Sequence, residues 1–162
     1  MDTLLVQMAQ IAVAQSGQRL KTTLGSCVGI ILADRQNEVY GLAHVMLPER
    51  TPNDPVLGKF ADSAVPALVS LMGRQAGGAN GKIEAFLVGG ASMFEAAGGA
   101  MTDIGNRNVQ AAHQAVRKLK IPVVFDDTGG DCGRTVHFDC QRVELSVRTL
   151  RKLETARKEP PR

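Results

Sequence analysis

Two neighbouring apolar runs limit most strongly what this chain can fold into. Residues 28–33 (VGIILA) and 39–46 (VYGLAHVM) are apolar at nearly every position, with a short polar stretch between them. A strand that faces water on one side alternates between apolar and polar residues, whereas a strand covered on both faces does not. The two runs therefore predict a pair of central β-strands that lie between other layers of the protein.

The remaining segments predict elements that would supply those layers. Strands are expected at 10–14, 19–23, 83–88, 123–125, 134–139 and 143–148, the last two as a hairpin. Apolar residues at helical spacing predict helices at 59–75 and 106–119. This order indicates a single-domain α/β layered sandwich, with a mixed, mostly antiparallel β-sheet core and two main helices packed on it.

Length and composition agree with one globular domain. The chain has 162 residues, of which 44% are hydrophobic and 22% charged, enough to form a core without disulfide bonds. We expect the domain to span residues 1–150 and a polar, flexible tail to follow at 151–162. The net charge of +3 comes from that tail, and aromatic residues make up only 4% of the chain. A basic face with stacking aromatics, as nucleic-acid-binding proteins have, is not indicated.

The N-terminus and the cysteines bear on the cellular compartment. The chain opens with an acidic residue and shows no signal-peptide pattern. No apolar run approaches the roughly 18 residues of a membrane helix. Three cysteines without a C-x-x-C pair favour a reducing compartment. We expect a cytoplasmic protein that does not insert into a membrane.

Cys27 and His44 are the strongest candidates for chemistry. Cys27 directly precedes the first central strand, and His44 interrupts the second. A hairpin with a four-residue loop at 34–37 would place Ala33 opposite Glu38 and Cys27 opposite His44, with Cβ atoms about 5 Å apart. A register shift of two would keep both side chains on one face. A plain core cysteine and a hydrogen-bonded core histidine are the alternative interpretations.

A thiol beside an imidazole can act as a nucleophile. The imidazole accepts the thiol proton and can then protonate a departing nitrogen. A third group usually orients the imidazole by accepting its other N–H, and Thr22 and Thr23 are the nearest candidates. The backbone N–H groups of Gly25, Ser26 and the nucleophile itself are candidates for holding the oxyanion. A simple turn is the alternative interpretation of Gly25.

The other cysteine and histidine cluster does not predict a metal site. Cys132, His137 and Cys140 lie close in sequence, but alternation along the strand 134–140 puts His137 and Cys140 on opposite faces. No phosphate-loop spacing is present, and the glycines at 89 and 90 predict turns or close backbone contacts. We expect neither a metal nor a cofactor.

Seven segments, in order, resemble the CheD family of chemoreceptor glutamine deamidases. They are 24–30 (LGSCVGI), 41–48 (GLAHVMLP), 59–62 (KFAD), 88–94 (VGGASMF), 104–108 (IGNRN), 127–130 (DTGG) and 133–134 (GR). The resemblance implies a cysteine hydrolase that converts receptor glutamine side chains to glutamate. It also implies that Cys27 is the nucleophile and His44 the general acid/base.

The resemblance carries further implications for fold, site and partners. It implies a layered α/β fold similar to the deamidase domain of cytotoxic necrotizing toxins. A threonine a few positions before the cysteine completes the family's catalytic set, and Thr22 fits the pattern T-x-L-G-S-C best. Phe60 stands where the family often has tyrosine. The implied partners are cytoplasmic domains of methyl-accepting chemoreceptors and a CheC-type phosphatase.

Two functions follow as the main hypotheses, and hydrolysis of small-molecule amides or esters by Cys27 and His44 is a third possibility. The first is a protein-glutamine deamidase in which Cys27 forms a thioester with the glutamine side chain and releases ammonia. The second is a non-catalytic chemotaxis adaptor that binds receptors or a CheC-type phosphatase. The presence of both Cys27 and His44 favours the enzyme.

Overall fold

A computed structural model describes residues 2–92 and 104–150 of the chain. The expected tail at 151–162, the end of the 88–94 segment and the first residue lie outside the described residues. The described ranges form nine strands, two α-helices and a 3₁₀ turn at Leu57–Lys59. The strands are β1 (Asp2–Leu5), β2 (Ile11–Gln15), β3 (Gln18–Leu24), β4 (Val28–Asp34), β5 (Val39–Val45), β6 (Ile83–Gly89), β7 (Val123–Thr128), β8 (Arg134–Asp139) and β9 (Glu144–Thr149). The helices are α1 (Ala61–Gln75) and α2 (Ile104–Lys118).

The mixed sheet that the sequence predicts is divided into two sheets in the structure. One has the strand order β1-β3-β8-β9 and the other β2-β5-β4-β6-β7. In each sheet one edge strand, β1 or β7, runs parallel to its neighbour, and the other pairs are antiparallel. The predicted α/β class, the two helices and the closing β8–β9 hairpin are confirmed, whereas β1 was not predicted.

The strands β4 and β5 form the central layer, as their composition predicts. Every residue of both strands is buried. One face of this layer packs against α1 and α2 through residues such as Ile30, Leu32 and Ala43. The other face packs against the four-stranded sheet through residues such as Ile31 and Leu42. The fold therefore has three layers: a sheet, a second sheet and a pair of helices.

The register of the β4–β5 hairpin corrects one prediction. Asp34 pairs with Val39, and Gly29 rather than Cys27 pairs with His44. The turn therefore occupies residues 35–38, and the register differs from the predicted one by two. Because side chains alternate along a strand, Cys27 still lies on the face that carries His44. Cys27 packs against the apolar cluster between the two sheets.

The side chain of Asp34 explains this register. Its buried carboxylate accepts hydrogen bonds from Asn37 N–H at 3.1 Å, Asn37 Nδ2 at 2.9 Å and Gly81 N–H at 2.8 Å. Asp34 thus ends the strand instead of opening the turn, and Glu38 closes the turn at φ 55°. Burial alone would raise the pKa of Asp34, but the hydrogen bonds it accepts outweigh burial and lower the pKa.

We predict that Asp34→Asn lowers the free energy of unfolding by about 1–3 kcal/mol at pH 7, because an amide cannot accept from all of these donors. The folded-state pKa of Asp34 lies below its unfolded value. The stabilisation is therefore fully present above the unfolded pKa and is lost as the pH falls through the folded pKa. Urea unfolding of both proteins between pH 2.5 and 7 measures the difference.

Glu84→Gln is the matched control, because it also replaces a carboxylate by an amide at this end of the sheet. Glu84 pairs with Arg35 at 2.9 Å, but the Arg35 side chain is 55% exposed and that of Glu84 32%. We expect this control to cost less than about 1 kcal/mol. Equal losses in the two variants, or a loss in Asp34→Asn that does not diminish at low pH, would contradict the assignment.

Candidate active site

The three predicted catalytic side chains come from different parts of the fold. Thr22 lies on β3 of the four-stranded sheet, and His44 lies on β5 of the five-stranded sheet. Cys27 lies in the connection between β3 and β4, where the chain crosses from one sheet to the other. All three residues therefore lie where the two sheets meet.

Thr22 and His44 are in direct contact. Thr22 Oγ1 lies 2.8 Å from His44 Nδ1 and 2.6 Å from the carbonyl oxygen of Val6. A carbonyl only accepts, so the single hydroxyl proton of Thr22 is donated to Val6 and the hydroxyl accepts the Nδ1–H of His44. This arrangement fixes the neutral tautomer of His44. Its Nε2 carries a lone pair and is free to accept a proton.

Thr23, the alternative orienting residue, faces away from this contact. Thr22 is fully buried, as are its neighbours at alternate positions, Leu20 and Leu24. Thr23 is exposed on the opposite face of β3. Of the two threonines, the structure brings only Thr22 to His44.

The segment between β1 and β2 holds the backbone of His44, a feature that the sequence did not predict. Ala9 N–H donates to the His44 carbonyl at 2.9 Å, and His44 N–H donates to the Gln10 carbonyl at 3.1 Å. Val6 N–H donates to the carbonyl of Lys21, the residue before Thr22. Residues 6–10 thus connect β3 and β5 at the site.

An open cavity of about 500 Å³ lies beside this segment. It is lined by residues 5–8 together with Thr22, Thr23 and His44. Two apolar side chains flank it, Leu5 and Met8, which are 58% and 60% exposed. Cys27 is half-buried and does not line this cavity. The cavity therefore lies on the Thr22 side of the imidazole.

Burial favours the neutral form of both the thiol and the imidazole. Burial lowers the pKa of His44, and the Val6 backbone opposes this only in part. Burial also raises the pKa of the Cys27 thiol. Both groups are therefore neutral at pH 7. In the part of the chain that the structure describes, the hydrogen bond of the imidazole is to Thr22 and not to Cys27.

The backbone carbonyls of residues 25–27 all accept hydrogen bonds. They accept, in order, from Ala91 N–H at 3.0 Å, Asn108 Nδ2 at 3.0 Å and Gly90 N–H at 2.8 Å. In a trans peptide the N–H points opposite to the carbonyl. The N–H groups of Ser26 and Cys27 therefore point away from these donors. Within residues 2–92 and 104–150, neither N–H has an acceptor.

The glycine pair after β6 allows the chain to approach this loop, as the sequence predicts. Gly89 and Gly90 adopt φ values of 105° and 71°, which favour glycine. A Cβ atom on Gly89 would lie 2.5 Å from the carbonyl oxygen of Cys27. A side chain at this position would displace the loop that carries the thiol.

Asn108 is the site residue that sequence reasoning did not single out. It lies on α2, is fully buried and donates to the carbonyls of Ser26 and Met46, each at 3.0 Å. It shares the buried face of the helix with Ala112 and Val116. A polar residue at an apolar position of the helical pattern is the signal that marks it.

The cluster of Cys132, His137 and Cys140 is not brought together on one face. Cys140 is buried between the sheets, and burial raises the pKa of its thiol to about 12. His137 lies on the outer face of the four-stranded sheet, opposite Ser146. Among the described residues, no three His, Cys, Asp or Glu side chains are placed to hold a metal ion. None of the described helices is long and apolar enough to cross a membrane.

We predict that His44 titrates below its ordinary pKa of about 6.5 and carries its proton on Nδ1 at pH 7. Imidazole ¹⁵N chemical shifts recorded against pH report both properties. Thr22→Ser, which keeps the hydroxyl, is expected to preserve the tautomer, whereas the isosteric Thr22→Val is expected to give a mixture. A neutral His44 protonated on Nε2, or the same spectrum in both variants, would contradict the assignment.

Comparisons with known proteins agree with the resemblance seen in the sequence. A family model described as CheD chemotactic sensory transduction matches residues 46–149. A Geobacillus kaustophilus protein named probable chemoreceptor glutamine deamidase CheD is 47% identical over 131 residues, which cover 78% of this chain and 79% of that protein. The chemoreceptor glutamine deamidase CheD of Bacillus licheniformis is 39% identical over 156 residues, 91% of this chain and 90% of its own.

One further relative and one solved structure are also similar to this chain. A Methanococcus maripaludis protein named probable chemoreceptor glutamine deamidase CheD is 39% identical over 153 residues, covering 94% of this chain and 98% of its own. A solved Neisseria meningitidis structure of the DUF152 family has a TM-score of 0.49 and 11% identity, covering 80% of this chain and 64% of its own. The family model, together with the identity and coverage of the three relatives named as CheD deamidases, shows that this chain belongs to the CheD family.

Proposed function

We propose that this protein is a chemoreceptor glutamine deamidase that uses Cys27 as nucleophile and His44 as general acid/base. Its substrate is the side-chain amide of glutamine in methyl-accepting chemoreceptors, and its products are glutamate and ammonia. The observation that carries the proposal is the contact of Thr22 with His44, which leaves Nε2 of the imidazole free to accept a proton. The names of the relatives, chemoreceptor glutamine deamidases, support this choice of substrate class.

The reaction begins from a neutral thiol and a neutral imidazole. Because burial raises the pKa of Cys27 and lowers that of His44, an ion pair is not formed beforehand. The thiol proton passes to Nε2 as the sulfur attacks the carbon of the substrate amide. The C–S bond forms, the C=O double bond opens, and the negative charge moves to the oxygen.

Backbone donors then stabilise this oxygen. The N–H groups of Ser26 and Cys27 point away from the donors that hold their carbonyls. Two such N–H groups beside the nucleophile suit a tetrahedral oxyanion, and removing a single donor of this kind costs about 10²–10³ in rate in other enzymes. In this proposal the Gly25 carbonyl holds the loop by accepting from Ala91 N–H at 3.0 Å, and Ser26 supplies a backbone donor.

His44 completes both halves of the reaction. Nε2–H protonates the amide nitrogen, the C–N bond breaks, and ammonia leaves behind a Cys27 thioester. A water molecule then gives one proton to Nε2 and attacks the thioester. The C–S bond breaks, the proton returns to sulfur, and glutamate is released.

Several finer expectations, drawn from the sequence or from the family resemblance, belong to this proposal. They are a fold similar to the deamidase domain of cytotoxic necrotizing toxins, a cytoplasmic location, a CheC-type partner, and a domain that ends near residue 150. They remain predictions.

We predict that the protein adds about one dalton per modified glutamine to a chemoreceptor cytoplasmic fragment, as measured by intact-mass and peptide mass spectrometry. Cys27→Ala and His44→Ala are expected to lower the rate by at least about 10²-fold. Cys132→Ala is the matched control, because this thiol is also half-buried, and we expect it to keep the activity.

Two outcomes would contradict the proposal. Continued deamidation by Cys27→Ala would exclude the thioester. If the unmodified protein binds the receptor fragment but does not change its mass, the adaptor hypothesis would be favoured.

A further inference from the structure

We propose that Asn108 is a positioning residue for this reaction. Its side-chain amide ties the loop that carries Cys27 to the strand that carries His44. The inference rests on the proposed function for its chemistry. Its geometry is independent of that function.

Asn108 contacts both segments through one nitrogen atom. Nδ2 donates to the carbonyl of Ser26, the residue before Cys27, and to the carbonyl of Met46, two residues after His44. Both distances are 3.0 Å. Since both partners are carbonyls, only the NH₂ end of the amide can face them, and the orientation of the side chain is fixed.

Asn108 connects the two segments just beyond the point where the hydrogen bonds between β4 and β5 end. The ladder between β4 and β5 ends at the pair Val28 and Val45. Residues 25–27 and 46 continue past that pair, so no ladder hydrogen bond joins them. Asn108 supplies the connection beyond the last ladder pair from the helix layer above.

The amide oxygen of Asn108 shows that this residue is not a simple packing residue. Among the residues that the structure describes, nothing donates a hydrogen bond to the buried Oδ1. An unsatisfied buried acceptor is destabilising, and an apolar side chain of similar size would avoid that cost. An apolar residue at this position could not make the two hydrogen bonds that Nδ2 donates, so these bonds distinguish Asn108 from a packing residue.

The bond to Ser26 acts directly on the reacting group. The Ser26 carbonyl and the Cys27 N–H belong to one peptide unit, so holding the carbonyl also aims the N–H. Without Asn108 this unit is free to rotate away from the oxyanion. The loss falls on the transition state more than on substrate binding, and therefore on kcat more than on KM.

Asn80 provides a matched control within the same chain. Its Nδ2 donates to the carbonyl of Val69 at 3.2 Å, and its buried Oδ1 likewise has no partner within residues 2–92 and 104–150. It lies near the start of β6, whereas the site lies near the end of that strand. Asn80→Ala therefore removes a comparable amide at a distance from the site.

The test compares deamidation kinetics of Asn108→Ala, Asn108→Asp and Asn80→Ala on a chemoreceptor fragment. We expect Asn108→Ala to lower kcat at least ten-fold, with KM within about three-fold of the unmodified protein. Asn108→Asp keeps the shape but presents oxygen to both carbonyls, so we expect a similar loss. Asn80→Ala is expected to keep kcat within about two-fold. Thermal unfolding fixes a temperature at which every variant is folded.

Three results would overturn the inference. They are a kcat in Asn108→Ala within two-fold of the unmodified protein, a fall shared by Asn80→Ala, and a rise in KM that accounts for the whole loss. If Asn108→Ala does not fold, the isosteric Asn108→Asp is judged by the same criteria.

Hydrogen exchange separates failure of this inference from failure of the proposed function. We expect amide exchange in Asn108→Ala to accelerate in both peptides 24–30 and 44–48, and Asn80→Ala to leave them unchanged. If the unmodified protein does not deamidate the receptor fragment but exchange accelerates in both peptides of Asn108→Ala, the proposed function fails. The link that Asn108 makes between the two segments is then still supported. If exchange accelerates in neither peptide, the link between the two segments is refuted, whatever the deamidase activity.

Discussion

Burial of both faces of the β4–β5 hairpin is the constraint on which the rest of the structure depends. A polar group inside such a layer must be neutral or fully hydrogen-bonded. Asp34, at one end of the hairpin, stays ionised because Asn37 and Gly81 donate to it. His44, towards the other end, has a hydroxyl rather than a charged group as its side-chain hydrogen-bond partner among the described residues, and burial holds it neutral. The same layer thus fixes the register through one residue and supplies a proton acceptor through the other.

The amino-acid sequence predicts the central layer and the face shared by Cys27 and His44, because both follow from local periodicity. It does not predict the register, since Asp34 ends its strand with the help of Gly81, which is distant in sequence. The division into two sheets is also beyond local patterns, because β3 alternates in burial and its partner β8 lies over a hundred residues away.

The candidate site is likewise only partly predictable from the sequence. Only the family pattern favours Thr22 over Thr23 in the sequence, and the contact of Thr22 with His44 depends on how one sheet packs on the other. Val6, whose carbonyl accepts the hydrogen bond from the Thr22 hydroxyl, follows a strand that the sequence did not predict. Asn108 is polar on an otherwise apolar helix face, and that anomaly is legible in the sequence, whereas its two partners are not. Each layer contributes one group, so only the assembled fold defines their geometry.

A hydroxyl as the orienting group suits the chemistry proposed for His44. A carboxylate in that position would fix the same tautomer, but it would also stabilise the imidazolium and raise the pKa of His44. Thr22 fixes the tautomer without adding charge, and burial then lowers the pKa. An imidazolium formed there by taking the thiol proton is a stronger acid than one beside a carboxylate. Because an amide nitrogen leaves only when it is protonated, a strong acid at this position favours loss of ammonia over return of the thiol.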